Sequence, residues 1–281
     1  MYKLQQVRFD GGKEFVVGIS EEEAKAIIDA SKFLGRNMRA YYYYQIVKRN
    51  LNSLIQFIEQ EQGKQKVDAI ECNRLLYNFV DTFYSYINFF EKNYKNKFLE
   101  VKTELYDKYF EYRFVYNLRN YLIHEDLAVM KVSYAYYNDH VDTAFLVAVN
   151  DLICAEKIKI KFKEELKSLK EKDISIYEIL VNFGQILVEL QVKMLIALSD
   201  EIEKSFTYIR SYIQDMHDVF LIKDTKTING LLNVLTKYYS NLALNFVYTE
   251  NLLVKNVRVK EIFMKLSYIY YQEKDVILKI D

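Results

Sequence analysis

The sequence predicts a mainly α-helical protein: a multi-helix bundle with two small β-hairpins. The chain of 281 residues contains no proline and only seven glycines, so little in it interrupts a helix. Hydrophobic residues make up 51% of the chain, which suits a large core and argues against intrinsic disorder. Apolar residues recur at spacings of three and four over long stretches, the pattern of helices with one buried face.

The first part of the chain is expected to form a hairpin followed by two helices. The strand-like runs YKLQQVRF and KEFVVGI flank a DGG turn, which predicts a hairpin at about residues 1–18. Ser20 and Glu23 have the spacing of a capping box that starts a helix. That helix is expected to end at Gly35, and a second one is expected over about 38–62.

The middle of the chain is expected to be helical and then to change character. Asp68 is suited to cap a helix over about 69–92, and a break near 93–97 precedes one or two helices that end near His124. The runs MKVSYAYY and VDTAFLVAV are rich in β-branched and aromatic residues. They predict a second hairpin at about 130–149.

The C-terminal part is expected to be helical again. It starts with the lysine-dense segment AEKIKIKFKEELKSLKEK, which fits either the start of a helix or a strand that leads into one. A long apolar helix is expected from Asp173 or Ser175 to about residue 216. A final helical segment is expected over about 227–272.

Neither a flexible linker nor an internal repeat divides the chain, so residues 1–281 are expected to form one continuous helical protein. Within it we expect a helical bundle at about 36–126, the hairpin at about 130–149 and a helical region at about 155–281. The hairpin is the only candidate boundary.

Composition limits the functions that the chain can have. The formal net charge is zero, so an RNA-binding surface would have to be a local patch or cleft. Cys72 and Cys154 lie in unrelated contexts without a CxxC pair, which favours buried thiols in a reducing cytoplasm and argues against zinc. The start of the chain has no signal-peptide pattern. The apolar stretch at 179–198 is interrupted by polar residues, so a buried helix is favoured over a membrane span.

The most informative segment is RNYLIH, residues 119–124. If this segment ends a helix, Asn120 and His124 are four residues apart and lie on one face, with Arg119 on the flank. The arc of Phe114, Leu118, Tyr121 and Leu122 is expected to face the core. The polar side chains of the same helix are expected on the opposite side; these are Arg113, Tyr116, Asn117, Asn120 and His124.

This grouping suits RNA cleavage without a metal. A histidine can act as the base that activates the 2′-hydroxyl or as the acid that protonates the leaving oxygen. An arginine can stabilise the charge that develops on the phosphate. One helix supplies only one histidine, so a symmetry-related copy is a natural complement.

The same residues resemble the R-x4-6-H motif of the HEPN superfamily, here Arg119 and His124 with four residues between them and Asn120 after the arginine. The resemblance implies an all-α bundle, a homodimer in which two motifs form one cleft, and metal-independent endoribonuclease activity without a cofactor. Many such proteins act in toxin–antitoxin, abortive-infection and CRISPR systems, so the resemblance also suggests an antitoxin or defence protein as a partner.

The resemblance also implies roles for individual residues. Arg119 and His124 would be catalytic, and Asn120 would orient a group or bind substrate. The segment is also similar to uncharacterised bacterial proteins that carry LRNYxxH. Asp126 stands where one HEPN subgroup has a tyrosine that a partner nucleotidyltransferase modifies, so that form of regulation is not implied.

Other interpretations stay open. A non-catalytic, HEPN-like scaffold would use Arg119 to pair with Glu125 or Asp126, and His124 to cap the helix dipole. The lysines at 157, 159, 161 and 163 suit either an RNA backbone or a solvated face. Further candidates are weaker: His140 beside Asp139 and Asp142 in the hairpin turn, the group Asp215, His217 and Asp218, and the tyrosine run 41–44.

Overall fold

The structure, a computed structural model, describes residues 2–7, 13–137, 141–213, 219–223 and 227–229. Over these residues the chain is mainly α-helical with small antiparallel sheets, which confirms the predicted fold class. In chain order the elements are β1 (Tyr2–Val7), β2 (Lys13–Ile19), α1 (Glu21–Glu61), α2 (Ala69–Asn93), α3 (Lys95–Lys108), α4 (Phe110–His124), β3 (Val129–Tyr136), β4 (Val141–Ala148), α5 (Val149–Cys154), α6 (Ile160–Lys167), β5 (Asp173–Ser175), α7 (Ile176–Ile213), β6 (Val219–Lys223) and β7 (Thr227–Asn229).

The chain divides into two compact units. One unit takes in Met1–Arg39 and Leu195–Asp281, and the other takes in Ala40–Met194. The division falls within α1 and α7. The β3–β4 hairpin therefore lies inside the second unit and not at a boundary.

The first unit contains an antiparallel sheet with strand order β2-β1-β6-β7. The β1–β2 pairing starts at Tyr2 opposite Ile19 and confirms the first predicted hairpin. Strand β6 pairs with the other edge of β1, with Leu4 opposite Leu221. The residues of β7 were expected to start the last helix, and this was wrong because they pair with β6. The rest of that expected segment lies outside the described residues.

Helix α1 begins as the sequence predicts but is longer than expected. The Ser20 N–H donates to Glu23 Oε2 (2.8 Å) and the Glu23 N–H donates to Ser20 Oγ (3.1 Å), which confirms the capping box. The expected end at Gly35 was wrong, because the helix continues to Glu61. A glycine inside a helix costs only about 1 kcal/mol relative to alanine, which burial of its neighbour Leu34 offsets.

Helices α2 to α4 follow the predicted boundaries. Asp68 caps α2 by accepting a hydrogen bond from the Glu71 N–H (2.9 Å). The expected break falls at Tyr94, between α2 and α3.

The lysine-dense segment was expected to form either a strand or the start of a helix, and it forms helix α6 from Ile160. The long apolar helix starts at Ile176, because the three residues before it form β5.

The core of the second unit is built from aromatic rings. Phe83 on α2 meets Phe183 on α7 and Tyr112 on α4 edge to face, at centroid distances of 5.0 Å and 5.8 Å. All three side chains are almost fully buried. Edge-to-face pairs add about 0.5–1.5 kcal/mol to the burial of their area. These contacts join α2, α4 and α7 around one centre.

Helix α7 carries the apolar stretch that was weighed as a membrane span. Residues Ile176–Ser205 are long and apolar enough to cross a bilayer, and 56% of the most apolar window is buried. Its polar side chains bond to other elements: Gln191 Oε1 accepts from the Tyr86 hydroxyl (2.6 Å), and Lys193 Nζ donates to Glu104 (2.7 Å). Length and composition of this kind also occur in core helices.

The three-stranded sheet β3-β4-β5 is attached to the helices by two side-chain amides. Asn73 Nδ2 donates to the Val129 carbonyl oxygen (2.8 Å), and Asn73 Oδ1 accepts from the Val129 N–H (3.0 Å). Gln62 makes the same pair of bonds with Thr143, at 2.7 Å and 3.1 Å. Each amide takes the place of a neighbouring strand, so the N–H and C=O groups of Val129 and Thr143 have hydrogen-bond partners where no strand pairs with them.

Replacement of Asn73 by alanine is expected to destabilise the protein by about 3 kcal/mol, because it leaves the buried N–H and C=O of Val129 without partners. The measurement is the free energy of unfolding in urea. The exposed Asn52 on α1 gives the control, and Asn52→Ala should change stability by less than about 0.5 kcal/mol. Equal effects of the two substitutions would contradict the role of the Asn73 amide.

Candidate functional site

The motif lies at the C-terminal end of α4. The helix begins after Tyr109, whose backbone is extended (φ −115°, ψ 124°) and whose hydroxyl donates to Glu189 Oε2 on α7 (2.6 Å). His124 is the last helical residue, and the N–H of Glu125 caps the end by donating to the Tyr121 carbonyl oxygen (2.9 Å). The motif therefore occupies the final two turns of a helix that is fixed at its start.

One face of α4 packs into the core as predicted. Phe114, Leu118 and Tyr121 are buried, and Leu122 is half-buried. Burial extends further around the helix than expected, because Tyr112 is also inaccessible. Aromatic contacts from α2 and α7 account for that extension.

The opposite face of α4 was expected to be solvent-exposed, and this was wrong for most of its length. Asn117 is fully buried, and Arg113, Tyr116 and Asn120 are half-buried. Only His124 is exposed. The reason is that the chain after α5 runs along this face, which the helical periodicity of α4 alone cannot reveal.

Backbone hydrogen bonds hold the covering segment in place. We call residues 155–159, between α5 and α6, the lysine segment. The Lys157 N–H donates to Glu125 Oε1 (3.2 Å), and the Lys159 N–H donates to Asn117 Oδ1 (3.3 Å). The lysine segment therefore follows α4 from its C-terminal end towards its middle.

A forked ion pair anchors the next stretch. Arg113 Nε and Nη2 donate to Glu165 Oε2 (2.8 Å) and Oε1 (2.6 Å) on α6. Arg113 Nη1 also donates to the carbonyl oxygens of Tyr106 and Asp107. The hydrogen bonds and charge of Glu165 raise the pKa of Arg113. Bidentate pairs of this kind fix orientation as well as adding energy.

Arg119 packs against α2. Its guanidinium carbon lies 3.8 Å from the centroid of the Tyr84 ring, a close cation–π stack. Its Nε is buried and has no hydrogen-bond partner among the described residues. The stack places the guanidinium against the ring of Tyr84 on α2.

The motif is therefore only partly assembled in one chain. Asn120 and His124 share a face, because they are four residues apart on one helix. Across the described part of the chain no hydrogen bond or ion pair joins Arg119 to His124. The described residues also contain no cluster of three or more histidine, cysteine, aspartate or glutamate side chains that would suit a metal ion.

The carboxylates that the scaffold interpretation assigned to Arg119 have other partners. Glu125 accepts from the lysine segment, and Asp126 Oδ1 accepts from the Leu127 N–H (2.7 Å). Within the described residues neither forms an ion pair with Arg119, so that expectation was wrong.

Sequence reasoning missed a basic and aromatic cluster beside the motif. Lys102 on α3 and Lys159 both lie against the ring of Tyr116, with Nζ 4.9 Å and 4.5 Å from its centroid. Lys159 Nζ is also 4.8 Å from the centroid of Tyr106. Lys159 belongs to the lysine-dense run that sequence singled out, but nothing in the sequence pointed to Lys102 or to either tyrosine as its neighbour.

The weaker candidates lie partly outside the described residues. His140 with Asp139, and the group Asp215, His217 and Asp218, lie outside the described residues. In the tyrosine run Tyr44 is buried in the core and Tyr42 is exposed. Both described cysteines are free; Cys72 is buried, but Cys154 is exposed, which corrects the expectation of two buried thiols.

Comparisons with protein-family models, with curated proteins and with solved structures give no match to this chain. Over the described residues, the fold and the site define a helical protein in which the exposed His124 ends a helix with a lysine- and tyrosine-rich face.

The anchoring of α6 to α4 can be tested by a double-mutant cycle with Arg113→Met and Glu165→Gln. The side chains are 16% and 28% exposed, so we expect a coupling energy of about 1–2 kcal/mol, reduced from the fully buried case by solvent. The measurement is urea unfolding of the four proteins. The control is Glu164, an exposed neighbour of Glu165 that pairs with Lys167. A cycle with Arg113→Met and Glu164→Gln should give almost no coupling energy. Equal coupling energies in the two cycles would contradict the pairing of Arg113 with Glu165.

Proposed function

We propose that this protein is a metal-independent endoribonuclease of the HEPN type that cleaves RNA at the exposed end of α4. The observation that carries the proposal is the position of His124, which is exposed at the helix end on the face of Asn120. The lysine segment adjoins that end through Glu125. A titratable imidazole beside positive charge is suited to bind a phosphodiester and transfer a proton.

Each motif residue has a role in this proposal. His124 acts as the base that takes the 2′-hydroxyl proton or as the acid that protonates the leaving 5′-oxygen. Arg119 supplies positive charge near the phosphate, and its stack on Tyr84 fixes the guanidinium in advance. Asn120 binds or orients substrate. The reaction requires no cofactor.

A homodimer would supply a second histidine, so that one imidazole could act as the base and the other as the acid. Exposed apolar side chains flank the motif: Leu127 is 48% exposed and Met130 is 64% exposed, three and six residues after His124. Ile70 on α2 is 80% exposed, three residues before the Asn73 that bonds to β3. Such side chains are typical of a surface that a partner covers.

The biological setting follows from the resemblance alone. It suggests a cytoplasmic toxin or phage-defence effector, restrained by a partner protein.

A second candidate function, a non-catalytic helical scaffold, is favoured by one observation. Arg119 already has a structural partner in Tyr84, so its positive charge is partly used within the chain. In this case Arg119→Ala would lower stability, and no form of the protein would cleave RNA.

Substitution of His124 by alanine is expected to reduce RNA cleavage by about 10²–10⁴-fold, because it removes a proton-transfer group. Stability should be unchanged, since the side chain is exposed. The measurement is single-turnover cleavage of labelled RNA, with detection of 2′,3′-cyclic phosphate ends. The exposed Gln185 on α7 gives the control variant Gln185→Ala, which should cleave as wild type does. Equal cleavage by wild type and His124→Ala would refute the proposal.

Substitution of Met130 by glutamate is expected to shift the protein from dimer to monomer, because it places a charge in the proposed interface. The measurement is sedimentation velocity over a range of protein concentrations. Leu99 on α3 is similarly exposed, at 58%, and Leu99→Glu should leave the dimer intact. A wild type that is monomeric throughout, or a Met130→Glu variant that remains dimeric, would rule out this interface.

A further inference from the structure

Two lysines share one tyrosine ring on the face of α4 that carries Asn120. Lys102 reaches Tyr116 from α3, and Lys159 reaches it from the lysine segment, with Nζ 4.9 Å and 4.5 Å from the ring centroid. Tyr106 stands edge to face against Tyr116 at 6.0 Å and contacts Lys159 as well. Two ammonium groups therefore lie close together on an aromatic wall.

The charges of this cluster do not balance. Lys102 forms an ion pair with Glu91, whereas in the described part of the chain no carboxylate lies within ion-pair distance of Lys159. Burial lowers the pKa of Lys159, and the charge of Lys102 lowers it further, against a weaker opposing effect of Glu91. One carboxylate thus faces two ammonium groups, and the excess positive charge favours an anion.

The second lysine is held in position by the fold. The N–H of Lys159 is bonded to the buried amide of Asn117, and Asn117 is itself fixed by donating to the Arg113 carbonyl oxygen (2.8 Å). Helix α6, which starts at the next residue, is clamped by Glu165. A site whose backbone is fixed in advance loses little entropy when it binds a ligand.

We propose that Lys102 and Lys159 form a binding subsite for a backbone phosphate of single-stranded RNA, separate from the phosphate that is cleaved. Tyr116 lies eight residues before His124 on α4, which corresponds to about 12 Å along the helix axis. The half-buried Asn120 lies between them on the same face. An RNA strand that passes over the lysine segment towards the end of α4 would place one phosphate at the lysines and another at the histidine.

The identity of the ligand as RNA rests on the proposed function, so the experiment separates binding from cleavage. The probe is a fluorescein-labelled 2′-O-methyl RNA oligonucleotide, which lacks the attacking hydroxyl and cannot be cleaved. Binding is measured by fluorescence anisotropy over a series of salt concentrations. Unchanged thermal unfolding of each variant establishes that it is folded.

Lys159→Ala is expected to weaken binding about tenfold and to reduce the slope of log K against log salt by about 0.7, the value for one phosphate contact on a single strand. Lys159→Arg keeps the charge and should retain most of the affinity. Lys170 is an exposed lysine of the same basic stretch, and Lys170→Ala removes the same charge outside the subsite. It should leave affinity within about twofold of wild type.

Three results would overturn the subsite: no binding of the probe by wild type, equal effects of Lys159→Ala and Lys170→Ala, or displacement of the probe by inorganic phosphate at equal concentration. The last would indicate a site for a small phosphorylated ligand. If His124→Ala cleaves RNA normally while Lys159→Ala loses binding, the proposed catalytic residue is wrong and the subsite stands.

Discussion

The forked ion pair between Arg113 and Glu165 is the interaction on which the site depends. It joins α4 to α6, and with the Asn117 amide it keeps the lysine segment against the helix. Because both side chains are largely buried, loss of one would leave the other charge poorly solvated. The ion pair acts together with the packing of Phe162 on α6 against Phe110 and Phe114 on α4, and these contacts help to hold Lys159 beside Tyr116.

The helices were predictable because their signals are local. The capping box at Ser20, the cap at Asp68 and the end of α4 at His124 each follow from a few neighbouring residues. The two hairpins were predictable for the same reason. The predicted end of α1 at Gly35 was wrong, because a helix also tolerates glycine in its interior when neighbouring side chains are well buried. β5 to β7 were missed, since short strands depend on partners that are distant in sequence.

The site was less predictable than the fold. Periodicity correctly placed Asn120 and His124 on one face of α4, because that placement depends only on helix geometry. It failed for Asn117, whose burial depends on a segment about forty residues later in the chain. It did not reveal the contact of Arg119 with Tyr84, because that contact depends on the packing of α2 against α4. Contacts between elements, and not the pattern within one element, decide where long polar side chains go.

These contacts limit where chemistry can occur on α4. The inner face is filled by aromatic rings, the guanidinium of Arg119 on the flank is stacked on Tyr84, and the lysine segment covers the middle of the outer face. What remains open is the C-terminal turn, with His124, and the lysines that line the approach to it. In the proposed cleavage the 2′-hydroxyl loses a proton and the leaving 5′-oxygen gains one, and two imidazoles can perform both transfers in a single step. Under the proposed function, the exposed His124 beside uncovered apolar side chains would form one half of a site, and a second copy of the chain would supply the other half.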